Sequence, residues 1–248
     1  MNAPLDSIAA IILAAGKGTR MKSDKAKVLH RLAGRPMIGY VLETAVKIFG
    51  PNIIVVIGNQ ADAVRRTVAE AADVWFAHQH EQLGTGHAVQ CALPELPAKI
   101  ENVIILCGDV PLINEKTLKS LINTHLQAQN AVTLLAVDLE QPTGYGRLVT
   151  DGGGNVIRIV EEADATDREK GISTINSGIY CIHRQFLEQT IAQLKANNAQ
   201  NELYLTDLIE IAAKNNAPVG MIRAQEPSEL LGINTLEDLK QVEALIAV

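Results

Sequence analysis

The chain has 248 residues, 47% of them hydrophobic, and a formal net charge of −6. That is enough for one large domain with a proper core, or a domain plus a small lobe, and it argues against a general nucleic-acid binder, whose surface is basic. No apolar run approaches the roughly 20 residues of a membrane-spanning helix, and Cys91, Cys107 and Cys181 lie far apart in apolar stretches, an odd number without metal-site spacing, which predicts buried reduced thiols in a cytoplasmic protein.

Ile8 to Leu13 predicts a buried strand. It does not read as a signal-peptide core, because no basic residue precedes it and Asp6 does. Pro36 to Phe49 predicts a helix with Pro36 in its first turn. Asn52 to Ile57 is a second strand, a helix follows from about Asp62, and Val74 to Ala77 is a third strand. Gly84-Thr85-Gly86 opens another helix. Val103 to Cys107 is a strand ending at Gly108-Asp109, Asn114 is placed to cap the next helix, and Ala131 to Val137 is again a strand. This alternation predicts an α/β fold with a mainly parallel sheet flanked by helices, and ligands at the carboxyl ends of its strands.

The pattern changes after Gln141. Leu148 to Thr150 and Val156 to Val160 flank Asp151-Gly152-Gly153-Gly154-Asn155, a strong turn signal, and predict an antiparallel hairpin. With a strand over Thr174 to Ile182, these pieces are expected to form a small antiparallel sugar-facing lobe continuous with the main sheet. Helices are expected near Arg184 to Lys195, Leu203 to Lys214, and from Thr235 or just after it. The chain divides into parts of about 1–140, 141–234 and 235–248 within a single domain.

The first strand runs into Leu13-Ala14-Ala15-Gly16-Lys17-Gly18-Thr19-Arg20-Met21, with Lys25 and Lys27 soon after. Small residues let the backbone approach a ligand, successive N–H groups cradle phosphate, and Arg20 and the lysines add positive charge. The spacing fits neither the P-loop nor the dinucleotide fingerprint, and taken alone the loop also reads as an ordinary turn with solvated lysines.

That phrase resembles the signature of the sugar nucleotidyltransferases. The resemblance continues through Gln79 to Ala88, Gly108 to Leu112, Pro142 to Arg147, Val160 to Glu162, Ile175 to Gly178, Asn197 to Gln200 and Tyr204 to Asp207. In that order the motifs are similar to the uridylyltransferase domain of the bifunctional bacterial enzyme that makes UDP-N-acetylglucosamine. The resemblance implies a Rossmann-like (GT-A-like) fold and transfer of uridylyl from UTP to N-acetylglucosamine 1-phosphate, with Mg2+ as cofactor. The family's acetyltransferase β-helix, with its hexapeptide repeat, is absent from the sequence, so no acetyltransferase activity is expected and the family's trimer does not carry over. A monomer or weak homo-oligomer, without nucleic-acid or membrane partners, is the expectation.

By the same resemblance, Leu13, Ala14, Ala15 and Gly16 line the nucleotide pocket, and Gln79, Gly84 and Thr85 recognise the uracil side. Arg20 and Lys27 neutralise phosphate charge, with Lys25 the rival of Lys27; Asp109 and Asn234 hold the metal; Gly108, Gly146, Glu161 and Asn176 face the sugar. Each has a plainer alternative: a surface amide for Gln79, a helix cap for Asp109 or Asn234, a solvated strand end for Glu161-Glu162. Ala26 stands where the family commonly has proline, and Cys107 where its best-known members have tyrosine. His78 and His80 are expected on opposite sides of a strand, no zinc site is expected without further ligands, and His87 reads as a helix residue rather than a base. Two other functions fit the same motifs: a sibling enzyme using glucose 1-phosphate or another nucleotide, and a catalytically silent sugar-nucleotide-binding domain.

Overall fold

The computed structural model describes residues 5–246. From the amino terminus its elements are β1 (Ile8–Leu13), the two-residue strands β2 (Arg31–Leu32) and β3 (Arg35–Pro36), α1 (Met37–Phe49), β4 (Ile53–Ile57), α2 (Ala61–Ala69), β5 (Trp75–His78) and α3 (Thr85–Ala92). There follow β6 (Asn102–Cys107), α4 (Glu115–Ala128), β7 (Val132–Asp138), β8 (Arg147–Thr150), β9 (Val156–Val160) and the short α5 (Asp167–Lys170). The chain ends with β10 (Thr174–His183), α6 (Arg184–Thr190), α7 (Asp207–Lys214), β11 (Val219–Arg223) and α8 (Leu236–Ile246).

The main sheet has the order β11-β7-β10-β6-β1-β4-β5. Along this path every strand runs in one direction except β10, which is antiparallel to both of its neighbours. The expected mixed, mainly parallel sheet is therefore present. Its strands are continuous apolar runs because both faces are covered. Ile8, Ala10 and Ile12 point into one core layer with α1, α2 and α4, while Ala9 and Ile11 point into a second with α3, α6 and α7.

Four expectations need correction. The strand over Thr174 to Ile182 is not confined to a lobe: β10 lies in the middle of the main sheet. A register shift between Asn176 and Tyr180 lets its first half meet β7 and β8, and its second half meet β6 and β7. The β8–β9 hairpin hangs from this strand through Ile175 and Arg147. Pro36 ends β3 with extended ψ, so α1 starts one residue later. The helix expected over Arg184 to Lys195 gives way after Thr190 to a single 3-10 turn, Ile191–Gln193. The helix expected from Leu203 begins only at Asp207, because Leu203 and Leu205 spend their N–H groups on the α3 entry loop. Strand β11 has no counterpart in the sequence reading; Gly220 interrupts its apolar run where the Asn130 side chain packs closely.

At the end of the sheet away from these loops lies a buried polar chain. His125, on the last turn of α4, pairs through Nδ1 with Thr133 Oγ1 at 2.9 Å and through Nε2 with Asn102 Oδ1 at 3.1 Å. Asn130 Nδ2 donates to the same Thr133 hydroxyl at 2.9 Å. Burial, reinforced by the neighbouring His183, pushes the His125 pKa from 6.5 down to about 4. The folded state therefore binds fewer protons here than the unfolded chain between those pH values, so this contribution to stability is full above about pH 6.5 and is lost as pH falls toward 4. The loss is on the order of 3 kcal/mol. Urea midpoints from pH 7.5 to 4.5 are expected to fall more steeply for the natural chain than for His125→Gln; parallel curves would assign the pH dependence elsewhere.

Candidate active site

The carboxyl ends of β1 and β6, and the segment that follows β5, open onto one cavity of about 720 Å³. Its floor is the loop after β1, from Leu13 through Arg20. Gly18 takes φ +62°, and a Cβ there would meet Lys27 Cβ at 2.6 Å, so only glycine lets this turn close over the lysine. Residues Thr19–Met21 then form a 3-10 turn pinned by the buried Met21, which aims Arg20 back toward the cavity.

Two cations and two oxygen donors meet there. The Lys27 ammonium pairs with Asp109 Oδ2 and donates to Asn234 Oδ1 at 3.0 Å. Arg20 Nη2 donates to the same Asn234 oxygen at 2.9 Å. Asp109 follows β6 and Gly108, and its main-chain oxygen accepts from Ile233 N–H at 2.9 Å, so strand end and carboxy-terminal segment are joined beside the side chains. Lys25 has no such pairing; the lysine brought to Asp109 is Lys27.

This donor set fits a hard divalent cation. Asp109 and Asn234 offer two oxygens that already converge on one positive charge, and such a cation completes its shell with water and phosphate oxygens. Among the described residues there is no group of three or more His, Cys, Asp or Glu side chains suited to a metal.

One side of the cavity is built by the entry to α3. Gly84 takes φ +108°, and a Cβ would meet Leu203 oxygen at 2.6 Å. Gly86 N–H donates to Leu203 oxygen, Leu203 N–H to Leu83 oxygen, both at 2.7 Å, and Leu205 N–H to Thr85 Oγ1 at 3.0 Å. Gln79 is almost fully buried, and its Nε2 donates to Gly84 oxygen at 3.0 Å and meets His87 Nδ1 at 3.2 Å. His87 lies within α3, as a structural residue should. His78 and His80 do not point apart: β5 ends at His78, strand alternation stops there, and the two rings come within 3.9 Å.

The opposite wall carries Glu161. Its carboxyl accepts from Thr206 Oγ1 at 3.2 Å, and burial, then the nearby Asp207, Asp164 and Glu202, raise its pKa above the usual carboxylate value. Glu162 is no solvated strand end either, because it pairs at 2.7 Å with the buried Arg147. A Cβ on Gly146 would lie 3.3 Å from Glu161 Oε2.

Leu13, Ala14, Ala15, Gly16, Arg20, Lys27, Gln79, Gly84, Thr85, Asp109, Glu161 and Asn234 thus line a single cavity. Gly108, Gly146 and Asn176 do not line it and sit one layer behind. Gly108 packs on the Leu13 oxygen, and Asn176 is buried, with N–H to Gly146 oxygen at 2.8 Å and Oδ1 accepting from Gly178 at 3.1 Å. Gln82 and Glu202 line the cavity without having been singled out in the sequence. Gln82 lies inside the Gln79 to Ala88 motif and Glu202 two residues before Tyr204, but nothing in their spacing marks either as a lining residue. Cys107 also faces the cavity and Cys91 is half-buried, so only Cys181 is the fully buried thiol expected. Among the described residues no helix is long and apolar enough to cross a membrane.

The profile of the MobA-like NTP transferase domain matches residues 10–204. The chain is 48% identical to the bifunctional protein GlmU of Geotalea uraniireducens over 98% of its length and 53% of that protein. It is 49% identical to the GlmU of Trichlorobacter lovleyi over 91% of its length and 49% of that protein. It is 46% identical to the GlmU of Desulfotalea psychrophila over 95% of its length and 69% of that protein. The chain thus spans about half the length of most of these relatives. A solved UDP-glucose pyrophosphorylase in complex with UDP-glucose superposes with a TM-score of 0.76 at 16% identity, covering 96% of this chain and 98% of that one. A putative glucose-1-phosphate thymidylyltransferase from Bacillus anthracis gives 0.73 at 18%, over 96% and 94%. At such identities these two likenesses concern the fold alone. The sequence relatives carry the assignment: the chain belongs to the family of MobA-like NTP transferase domains, and within it to the kin of the GlmU proteins.

Proposed function

We propose that this chain transfers uridylyl from UTP to N-acetylglucosamine 1-phosphate, releasing pyrophosphate and forming UDP-N-acetylglucosamine. The observation that carries this reading is the meeting of Arg20, Lys27, Asp109 and Asn234 in one cavity with the glycine loop and the Glu161 wall. An oxygen of the sugar phosphate attacks the α-phosphorus of UTP in line, and the bond from that phosphorus to the β-phosphate bridging oxygen breaks. The nucleophile is already anionic, so no strong base is required; the difficulty is bringing two anions together. Arg20, Lys27 and the loop N–H groups offset that repulsion, and the cavity fixes the line of attack. Mg2+ held by Asp109 and Asn234 would add charge neutralisation at the phosphates.

Recognition follows from what each group has left to offer. Both donors of the Gln79 amide are engaged by Gly84 and His87, which leaves its Oε1 to accept from a base N–H. Uracil presents such a donor at N3, where cytosine presents an acceptor. Leu13, Ala14, Ala15 and Gly16 bring main chain close to the nucleotide, and Thr85 stands beside it. Glu161 accepts from sugar hydroxyls, with Gly146, Gly108 and Asn176 shaping the wall behind. The parts of about 1–140 and 141–234 thus serve nucleotide and sugar within one domain, and a monomer or weak homo-oligomer in the cytoplasm is our reading of its state.

The test is pyrophosphate release across a matrix of nucleoside triphosphates and sugar 1-phosphates. UTP with N-acetylglucosamine 1-phosphate is expected to give the highest kcat/KM. Preference for glucose 1-phosphate or for dTTP would replace the substrate assignment, and silence with every pair would leave a binding domain.

A further inference from the structure

We infer that Asp238 is a positioning residue for the metal-binding pair, an inference that rests on the reading of Asp109 and Asn234 given above. Asn234 reaches Lys27 and Arg20 from a loop, not from a strand or helix, and a loop amide needs something to fix it. The structure supplies three ties. Ile233 N–H bonds the Asp109 main-chain oxygen at 2.9 Å. Asn234 Nδ2 reaches Gly232 oxygen at 3.5 Å, which turns Oδ1 toward the cations. Asp238 Oδ2 accepts the Asn234 N–H at 2.9 Å. Of these, Asp238 is the single side chain from elsewhere in the chain that holds the Asn234 backbone.

Asp238 also belongs to the cap of α8. Its Oδ2 accepts Thr235 N–H at 2.8 Å, while its own N–H donates to Thr235 Oγ1 at 3.1 Å. This reciprocal pair is a capping box, and a box alone needs only Thr235 and Asp238. The bond to Asn234 is additional to it. One carboxylate therefore couples the start of a helix to a metal ligand, as partners behind a ligand commonly do. Asp238 lines no part of the cavity and touches no substrate in this reading.

The two roles separate by mutation of the full chain. Thr235→Ala removes half of the cap and leaves the Asn234 bond; Asp238→Ala removes both; Asp238→Asn keeps an acceptor oxygen without the charge. The probe is Mn2+ alone, titrated by electron paramagnetic resonance, with melting temperature recorded in parallel. Asp238→Ala is expected to weaken Mn2+ about tenfold, while Thr235→Ala lowers the melting temperature but stays within about twofold of the natural affinity. Asp238→Asn is expected to recover most of the loss. In turnover, Asp238→Ala lowers kcat and raises the metal requirement with the KM for sugar phosphate unchanged. Equal loss of Mn2+ in Thr235→Ala and Asp238→Ala, unchanged affinity in Asp238→Ala, or an Asn variant as weak as the Ala variant would overturn the assignment. An Asp109→Ala arm separates the two failures: if it too binds Mn2+ normally, the metal reading falls and this inference with it.

Discussion

Asp109→Ala is expected to fold normally and to turn over about 10³-fold more slowly, a barrier increase of about 4 kcal/mol. The fold should survive because little of it depends on the carboxylate. The Asp109 side chain is 18% exposed and its ion pair is with Lys27, which keeps Asn234 Oδ1 as a partner when the carboxylate is gone. The main-chain bond from Ile233 to Asp109 oxygen does not need the side chain. The lysine left behind still has Asn234 Oδ1 and the open cavity for its charge, so the cost stays below that of stranding a fully buried ion. Turnover should collapse because the only carboxylate among the four convergent groups is the strongest oxygen donor for a cation. Asp109→Asn keeps an oxygen at similar reach, so it should lie between the two and recover partly at high magnesium. Steady-state kinetics with thermal melts checks this; near-natural turnover in Asp109→Ala would remove the residue from the chemistry.

The strands that carry this site were legible because they are buried on both faces. Ile8 to Leu13 and Val103 to Cys107 are unbroken apolar runs, the first reaching Gly16 after two alanines and the second followed directly by Gly108. Periodicity alone does not separate such a run from a buried helix; its shortness, its flanking turn residues and its β-branched content do. The antiparallel pairing of β10 was expected, but its place in the middle of the main sheet was not legible, because an apolar run does not say which strands it lies between. Its direction is set by the β8–β9 hairpin, which returns the chain beside β7. Strand β11 escaped because half-buried residues and a central glycine leave no clean pattern. At the site, Arg20 and Asp109 were visible as charged residues in the segments after strand ends, while the choice of Lys27 over Lys25 came from the family resemblance. Asn234 was visible only through the family resemblance, since a lone amide before a helix reads equally well as a cap. Asp238 was invisible, because its importance lies in a backbone N–H that no sequence pattern records.

Lys27→Met is expected to move two quantities in opposite directions: turnover falls about 100-fold, about 2.7 kcal/mol, through loss of one charge at the phosphates, while affinity for a divalent cation without nucleotide rises. The reason is where the ammonium sits. Lys27 occupies the point on which Asp109 Oδ2 and Asn234 Oδ1 converge, and Arg20 shares the second oxygen. For those oxygens to take a metal, the ammonium must leave; to meet a phosphate, it must leave as well. Metal and triphosphate therefore favour each other beyond their own chelation, and linkage makes the coupling reciprocal. Methionine keeps the unbranched stem and removes the charge. Lys25→Met is the control, since it takes a positive charge from the same loop without uncovering Asp109. Mn2+ titration should give tighter binding for Lys27→Met alone, by about tenfold if one decade, or about 1.4 kcal/mol, measures the release of the internal cation. Equal tightening in both variants would reduce the effect to general loop charge, and weaker binding in Lys27→Met would mean that the lysine helps to build the metal site.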